Sequence, residues 1–442
     1  MQDNKIEKQG QGVTRRDFIK ASAAVSLAAM VPGVAARAFA QGSDKIQIGL
    51  IGCGGRGTGA AIDCLGSAEG VEIVAMGDLF KDHLDNSLKR LKERVPADKI
   101  KVTRRTSYVG WDAYKKVINS KVNYIIMAPP PHFRPLHLKA AIEGGKHVFM
   151  EKPVAVDPVG VRSIIASSEL ATKKGLAIVA GTQRRHQLHY LDIMKRIHDG
   201  QIGEVVAGQC YWNMEALWVE RVKELMARRK KEKWSDMEWQ VRNWLFHTWL
   251  SGDHIVEQHV HNIDVINWAI GSNPVQAMGM GGREVRTGPE WGNVFDHFAV
   301  EFEYPGGVRV LSMCRQTAGA SSRVSERVVG TNGSTYTDQS GNGWIEGPNA
   351  YKYEGESPNP YVLEHTDLIA SIRSGKYLLN EGQRIAESTL AAIMGRMSAY
   401  TGRELKWDWA MNASKLDLTP PKYKFGDAPE PVVAVPGQTE LI

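Results

Sequence analysis

Residues 45–57 read KIQIGLIGCGGRG, and this stretch decides the fold. Its first half is a short apolar run rich in isoleucine, a strand pattern, and its second half carries glycines at 52, 54, 55 and 57; helical composition follows from about Thr58 to Gly66. A strand that turns on glycines into a helix is the phosphate-binding unit of dinucleotide folds. Gly52 allows the tight turn, Gly54 lets backbone approach a pyrophosphate, and Gly57 permits close helix–strand packing, while the helix N-terminus faces the phosphates. The next strand pattern, VEIVAMGD at 71–78, ends in Asp78, where an acidic side chain meets the adenosine ribose. A carboxylate there accepts hydrogen bonds from a 2′-hydroxyl and repels a 2′-phosphate, so NAD is expected over NADP unless Lys81 compensates. The alternative for Asp78 is to cap the helix that begins near Lys81.

Outward from this unit, a helix near 111–119 precedes a third strand pattern, VNYIIMA at 122–128, which ends in Pro129-Pro130-Pro131-His132. A helix pattern at 136–143, the turn Gly144-Gly145, the strand KHVFM at 146–150 and then Glu151-Lys152-Pro153 follow. Strands alternating with helices indicate a parallel, doubly wound α/β sheet whose ligands collect at strand carboxyl ends. Residues 1–40 are of another kind. Thr14-Arg15-Arg16-Asp17-Phe18-Ile19-Lys20 is similar to a twin-arginine export signal, with ASAAVSLAAMVPGVA at 21–35 as apolar region and Ala38-Phe39-Ala40 as cleavage site. Pro32, Gly33 and Arg37 interrupt the apolar run, which argues against a membrane anchor. The expected organisation is an export signal at 1–40, a Rossmann domain at 41–153, a substrate and oligomerisation domain at 154–405 and a carboxyl-terminal tail at 406–442.

A net charge of +6 on 442 residues, with 43% hydrophobic and 24% charged, is ordinary for a soluble globular chain and too weakly basic for a nucleic-acid partner. Cys53 and Cys64 fall in the first loop–helix unit, and Cys210 and Cys314 in strand patterns, so reduced, buried thiols are expected despite export. After a helix at 159–174 and the strand LAIVAG at 176–181, Thr182-Gln183-Arg184-Arg185-His186 set two arginines at a strand exit. They could bind hydroxyls or an anion, or pair with surface carboxylates. EVVAGQCYWNM at 204–214, FAVEFEY at 298–304, VRVLSMC at 308–314 and the turn-punctuated stretch 323–345 suggest a sheet with one buried face. An insertion at 218–249 holds Trp234, Trp239, Trp244 and Trp249, rings that stack on sugars or fill an amphipathic core. Two helices within 363–400, parted near Gly375, are expected to pack against the sheet or the Rossmann domain.

The stretch densest in reactive side chains is GDHIVEQHVHNID at 252–264. On a helix, His254, Glu257, His261 and Asp264 share a face; on a strand, Glu257, His259 and His261 would share one, like a two-histidine, one-carboxylate metal site. The flanking VINWAIG at 265–271 favours helix, and no metal is expected.

With GCGGRG, the strand ending in APPPH, the phrase AAIEGGKHVFMEKP and then HVHNID, the chain resembles the glucose-fructose oxidoreductase and inositol dehydrogenase (Gfo/Idh/MocA) family. The resemblance implies a Rossmann domain followed by an α+β domain whose large, mostly antiparallel sheet covers the nicotinamide and often builds a dimer or tetramer interface. It also implies that Lys152 lies by the nicotinamide and the substrate hydroxyl. Its catalytic histidine is matched by His261, with Glu257 where an aspartate partner is usual. A lysine cation steadies a developing alkoxide, and an imidazole oriented by a carboxylate takes the proton. Cofactor contacts are expected from Gly52, Gly54, Arg56, Gly57, Asp78, Pro130, His132, Glu151, Lys152 and Gln183, and substrate contacts from Arg184, Trp244, His254 and Asp264.

The expected function is an exported, periplasmic, NAD-dependent oxidoreductase acting on a hydroxyl of a sugar, glycoside (at C3, for example) or polyol, as a homo-oligomer. A redox-neutral NAD-dependent glycosidase or lyase is the alternative, although HVHNID stands where the glycine-rich motif of such glycosidases would be; a non-enzymatic NAD-binding sensor is the third. Export adds a constraint, because the compartment outside the cytoplasmic membrane lacks a dinucleotide pool. At an association rate on the order of 10⁶ M⁻¹s⁻¹, a nanomolar site releases its ligand at about 10⁻³ s⁻¹. A lasting enzyme therefore needs tighter binding or a cap over the cofactor.

Overall fold

The computed structural model describes residues 45–376 and 378–442; the export signal and its cleavage site lie outside the described residues. Six parallel strands, β1 (Ile46–Ile51), β2 (Val71–Asp78), β3 (Ser107–Val109), β4 (Tyr124–Met127), β5 (His147–Met150) and β6 (Ile178–Ala180), form a sheet in the order β3-β2-β1-β4-β5-β6. The reversal of order at β1 and β4 makes it doubly wound. Alternate side chains serve its two faces. Ile48, Leu50, Tyr124, Ile126 and Phe149 pack with Ala60, Leu65 and Leu84 from the helices Gly55–Ser67 and Lys81–Arg94. Ile51, Ile125, Met127, Val148 and Met150 pack with Leu138, Ile142 and Ile164 from Arg134–Glu143 and Pro158–Lys174.

The parallel sheet runs past the boundary expected at Pro153. β6 pairs with β5, because Ile178 and Ala180 are needed on one face and Val179 on the other. The helix Pro360–Ser374 also returns to this domain, laying Leu368 and Ile369 on the face that carries Gly55–Ser67.

The second sheet has nine strands: β7 (Val205–Met214), β8 (Gln276–Gly282), β9 (His297–Glu303), β10 (Arg309–Gln316), β11 (Arg323–Gly330), β12 (Gly333–Asp338), β13 (Gly343–Glu346), β14 (Tyr351–Lys352) and β15 (Leu405–Lys406). Their order is β14-β13-β12-β11-β7-β10-β9-β8-β15. Every pairing is antiparallel except that of β7 with β10. Its inner face packs Cys210, Phe298, Val300, Phe302 and Val310 against Ile263 and Ile266 of Val260–Ile270 and Leu390 and Met394 of Gly382–Thr401. One core thus runs from the parallel sheet into the antiparallel one. The outer face leaves Met278, Met280 and Leu311 exposed. All four cysteines are buried and free of disulfides, as their places in the first loop–helix unit and in strand patterns suggested.

Candidate active site

The glycine loop meets three separate backbone demands. Gly52 has a φ of 90°, and a Cβ there would lie 2.6 Å from the Ala128 and Pro129 backbone. A Cβ on Gly57 would lie 1.9 Å from the Gly52 carbonyl oxygen, whereas at Gly54 and Gly55 it would meet nothing within 4 Å. The loop is closed where glycine permits packing and open where a pyrophosphate would approach. No side chain caps the Gly55–Ser67 helix, so its first N–H groups are available to phosphate oxygens. Asp78, ending β2, accepts the Cys53 N–H at 2.6 Å and the Phe80 N–H at 2.8 Å. It ties the loop to β2, steadies the approach to the Lys81–Arg94 helix, and keeps lone pairs for a ribose hydroxyl. Pro130 is half-buried beyond β4. Gln183, at the exit of β6, has a buried Oε1 with no partner among the described residues, an acceptor suited to an amide N–H. These residues fit a dinucleotide of the NAD type.

Two side chains expected on the cofactor, Arg56 and Glu151, pair with each other. Arg56 Nε donates to Glu151 Oε1 at 2.7 Å, its Nη2 reaches Asp63 at 3.4 Å, and its guanidinium lies 4.7 Å from the Tyr361 ring centre. Glu151 also takes the Lys152 N–H at 3.3 Å.

Lys152, just past β5, joins the domains. Its Nζ donates to the Glu257 carbonyl oxygen and, at 3.2 Å, to Glu257 Oε1; each side chain is only 14% exposed. His261 is buried, its ring near-parallel to that of Trp212 with centres 5.9 Å apart. Burial, followed by the positive charges of Lys152 and Arg184, holds His261 well below the ordinary imidazole value, so it is neutral near pH 7. The expected Glu257–His261 partnership is not formed. The segment is two helices, His254–Glu257 and Val260–Ile270, and the break at Gln258 and His259 turns Glu257 toward Lys152. His261 Nδ1 has no partner among the described residues.

The break also scatters the other polar groups. His254 enters the core against Phe298, 5.1 Å between ring centres, with neither ring nitrogen partnered among the described residues. His259 is hydrogen-bonded to Ser312 at 2.7 Å. Asp264 accepts from Arg185 at 2.8 Å, Arg384 at 3.1 Å and Ser388 at 2.8 Å; against the pull of burial, the two arginines hold it far below the usual carboxylate range. Trp244 meets Trp218 edge-on at 5.4 Å, inside the insertion. Of the four expected substrate contacts, only Arg184 borders the His261–Trp212 pair. Its Nη1 donates to Glu326 at 2.5 Å, its Cζ lies 5.7 Å from the Trp212 ring, and its Nε and Nη2 have no partner among the described residues.

Three residues at the site were not singled out from the sequence. Trp212 had a readable signal, since it shares the inward alternation of Gly208 and Cys210 along β7. Tyr361, over Arg56, and Tyr423, hydrogen-bonded to His132 Nε2 at 2.8 Å, had none, because their partners are remote in the chain.

Comparison with known proteins agrees with this geometry. An NAD-binding Rossmann model of the oxidoreductase family matches residues 46–182, and the Gfo/Idh/MocA C-terminal domain matches residues 190–336. Residues 12–32 match the twin-arginine translocation signal, which marks the chain for that export pathway. No helix among the described residues is long and apolar enough to cross a membrane. The 2,7-anhydro-N-acetylneuraminate hydratase of Escherichia coli is 24% identical over 211 residues, 47% of this chain and 49% of that protein. The alpha-N-acetylgalactosaminidase of Shewanella oneidensis is 24% identical over 227 residues, 47% of each. The chain spans about half the length of the curated relatives it matches. The scyllo-inositol dehydrogenase of Lactobacillus casei, solved with NAD(H) and scyllo-inositol, shares the fold at a TM-score of 0.61 and 17% identity, over 82% of this chain and 99% of that one. With both family domains matched in order across well over half of its length, the chain belongs to the Gfo/Idh/MocA family of oxidoreductases.

Proposed function

We propose that this protein is an exported NAD-dependent enzyme that oxidises a hydroxyl of a sugar, glycoside or polyol, with Lys152 and His261 acting on the hydroxyl proton. The observation that carries the reading is the meeting of Lys152, from the end of β5, with the His261 segment of the second domain. NAD, when bound, supplies the hydride acceptor. The rest falls to the chain's own residues. Hydride leaves a carbinol carbon readily only as the O–H proton departs, so the oxygen needs a nearby positive charge and the proton needs a base. Lys152 offers the charge, and His261, neutral near pH 7, takes the proton. Glu257 is a positioning residue for Lys152. The unpartnered edge of Arg184 beside Trp212 supports a role in holding a substrate oxygen. Asp78 supports NAD over NADP, and the exposed Met278, Met280 and Leu311 support homo-oligomer assembly through the open sheet face.

A second reading has a specific observation in its favour. A hydratase and a galactosaminidase, the activities named for the two curated relatives, make products with no net oxidation, so hydride taken from the substrate would be returned within the same turnover. Incubating the purified protein with a panel of glycosides and polyols, with products read by mass spectrometry, separates the two. Loss of two hydrogens is the expected result. A released or hydrated sugar at unchanged oxidation level selects the redox-neutral reading, and binding without any product overturns both.

A further inference from the structure

β2, β3 and β4 end beneath polypeptide that belongs to neither their sheet nor its helices. Beyond β2, Phe80 is stacked on Phe425 at 6.0 Å between ring centres. Beyond β3, Trp111 lies 5.9 Å from Tyr423 and 5.5 Å from Phe425. Beyond β4, His132 is bonded to Tyr423 and meets Trp249 edge-on at 5.0 Å. The covering segments hold each other: Met237 N–H donates to the Gly426 carbonyl at 3.0 Å, Gly426 N–H to Ser235 Oγ at 3.1 Å, and Gln240 Nε2 to the Pro429 carbonyl at 2.8 Å. Arg242 and Arg228 from the insertion both reach Asp82 at 3.1 Å, and the Arg242 guanidinium lies 3.7 Å from the Phe80 ring centre.

We infer that the carboxyl-terminal segment 418–428 and the tryptophan-rich insertion together form the outer wall of the adenosine pocket, a strap that retains the cofactor through export. The inference rests on the reading of Gly52–Asp78 as the dinucleotide site. Placement is its first support: Phe80 follows Asp78 by two residues, His132 follows the β4 terminus, and the adenosine of a doubly wound fold lies outside these strand ends. Chemistry is the second, since Phe80, Trp111, Tyr423 and Phe425 gather at this end as one aromatic cluster, the kind of apolar edge against which a purine packs. The latch is also insensitive to neutral pH. Burial lowers His132 to about 4 and raises Tyr423 to about 12, so the bond joins an uncharged phenol to an uncharged imidazole throughout the range between.

The strap is built to lift. It is rooted where the Leu418 N–H meets Asp157 Oδ2 at 2.9 Å, and it spans a cavity of about 910 Å³ lined by Met237, Trp249, Tyr400, Leu418 and Phe425. Phe425 itself is 41% exposed. Raising this segment breaks the bonds of Tyr423 to His132 and of residues 426 and 429 to the insertion, together with the ring contacts to Phe80 and Trp111, but leaves the glycine loop in place.

The test measures NAD(H) release from the full-length protein after dilution into an enzymatic trap. Replacing Tyr423→Ala and Phe425→Ala together should speed release at least about tenfold, the size expected for a lost hydrogen bond and an aromatic contact. Unchanged release from a folded double variant overturns the strap. The wild-type chain gives an independent reading, because NAD(H) should slow tryptic cleavage at Lys422 and Lys424 by a similar factor, and equal cleavage with and without cofactor overturns it too. Absence of NAD(H) binding by calorimetry refutes the cofactor reading itself, whereas binding with release indifferent to the tail refutes only the strap.

Discussion

The glycine loop at 52–57 and the histidine-rich segment at 254–264 are equally dense in one dimension and fold to opposite outcomes. In the loop, function belongs to the backbone, so Gly52 follows from its φ angle and Gly57 from its clearance, while Gly54 stands where the fingerprint leaves room for a ligand. In the histidine segment, function depends on which way side chains face, and a break between two short helices decides that. Only Glu257 and His261 are left at the domain junction; His254 meets Phe298, His259 meets Ser312, and Asp264 meets Arg185 and Arg384. A backbone motif therefore carries its geometry with it, while a cluster of reactive side chains has to be placed by the rest of the molecule.

The strongest challenge to this contrast is at the junction. Lys152→Ala and His261→Ala should each lower turnover by at least about 10²-fold with bound NAD retained, and the double variant should be scarcely worse than the poorer single, since both act on one proton transfer. Near-normal turnover of His261→Ala would move the base to another group. The pH profile sharpens the point. His261 is held below the ordinary value, so the acid limb of kcat should fall below about pH 6.5; an inflection at or above that value would assign the limb elsewhere.

Within the loop, two alanines should part company. Gly57→Ala drives a methyl to 1.9 Å from a carbonyl oxygen and should cost about 1–3 kcal/mol or more of stability, seen as a large drop in Tm. Gly54→Ala meets nothing in the protein and should melt normally while binding NAD at least about tenfold more weakly. Equal Tm losses would show that the space over Gly54 is not a ligand's.

Acid stability compares the two domains. Burial holds His132 at about 4 and His137, His247 and His259 at about 3. Because the unfolded chain binds protons at these sites near 6.5 and the folded chain does not, their contribution is intact above that pH and is lost as pH falls. Each removes about 1.4 kcal/mol per pH unit down to its folded value. Urea unfolding at pH 7 and 5.5 should therefore show a steep decline, and a flat response would mean these imidazoles are solvated. The smallest effect is expected at His254→Phe. Its ring nitrogens lose no partner among the described residues, so stability should change by no more than about 1 kcal/mol and turnover should stay close to that of the wild type.

Strands and helices of the parallel sheet were legible because apolar runs, glycine turns and helix lengths are local. β6 fell on the far side of the expected boundary because a three-residue strand declares its sheet only through its partner. Trp234, Trp239 and Trp249 are buried, as amphipathic spacing suggested against the sugar-stacking alternative. Lys152 could be read from EKP. The Glu257 pairing could not, since four-residue spacing assumes an unbroken helix and Gln258 and His259 interrupt it. Tyr423 was beyond reach for a simpler reason, its partner being 291 residues away.

That separation sets an order of events. A ribosome delivers the glycine loop, Asp78 and Lys152 well before Tyr423, so these can fold while the adenosine end is still uncovered. On the strap reading, the interval before residues 418–428 dock is when a dinucleotide can enter unhindered, and their docking closes it. Direction of synthesis thus becomes direction of assembly, and the later-made segment serves as the seal of the earlier one.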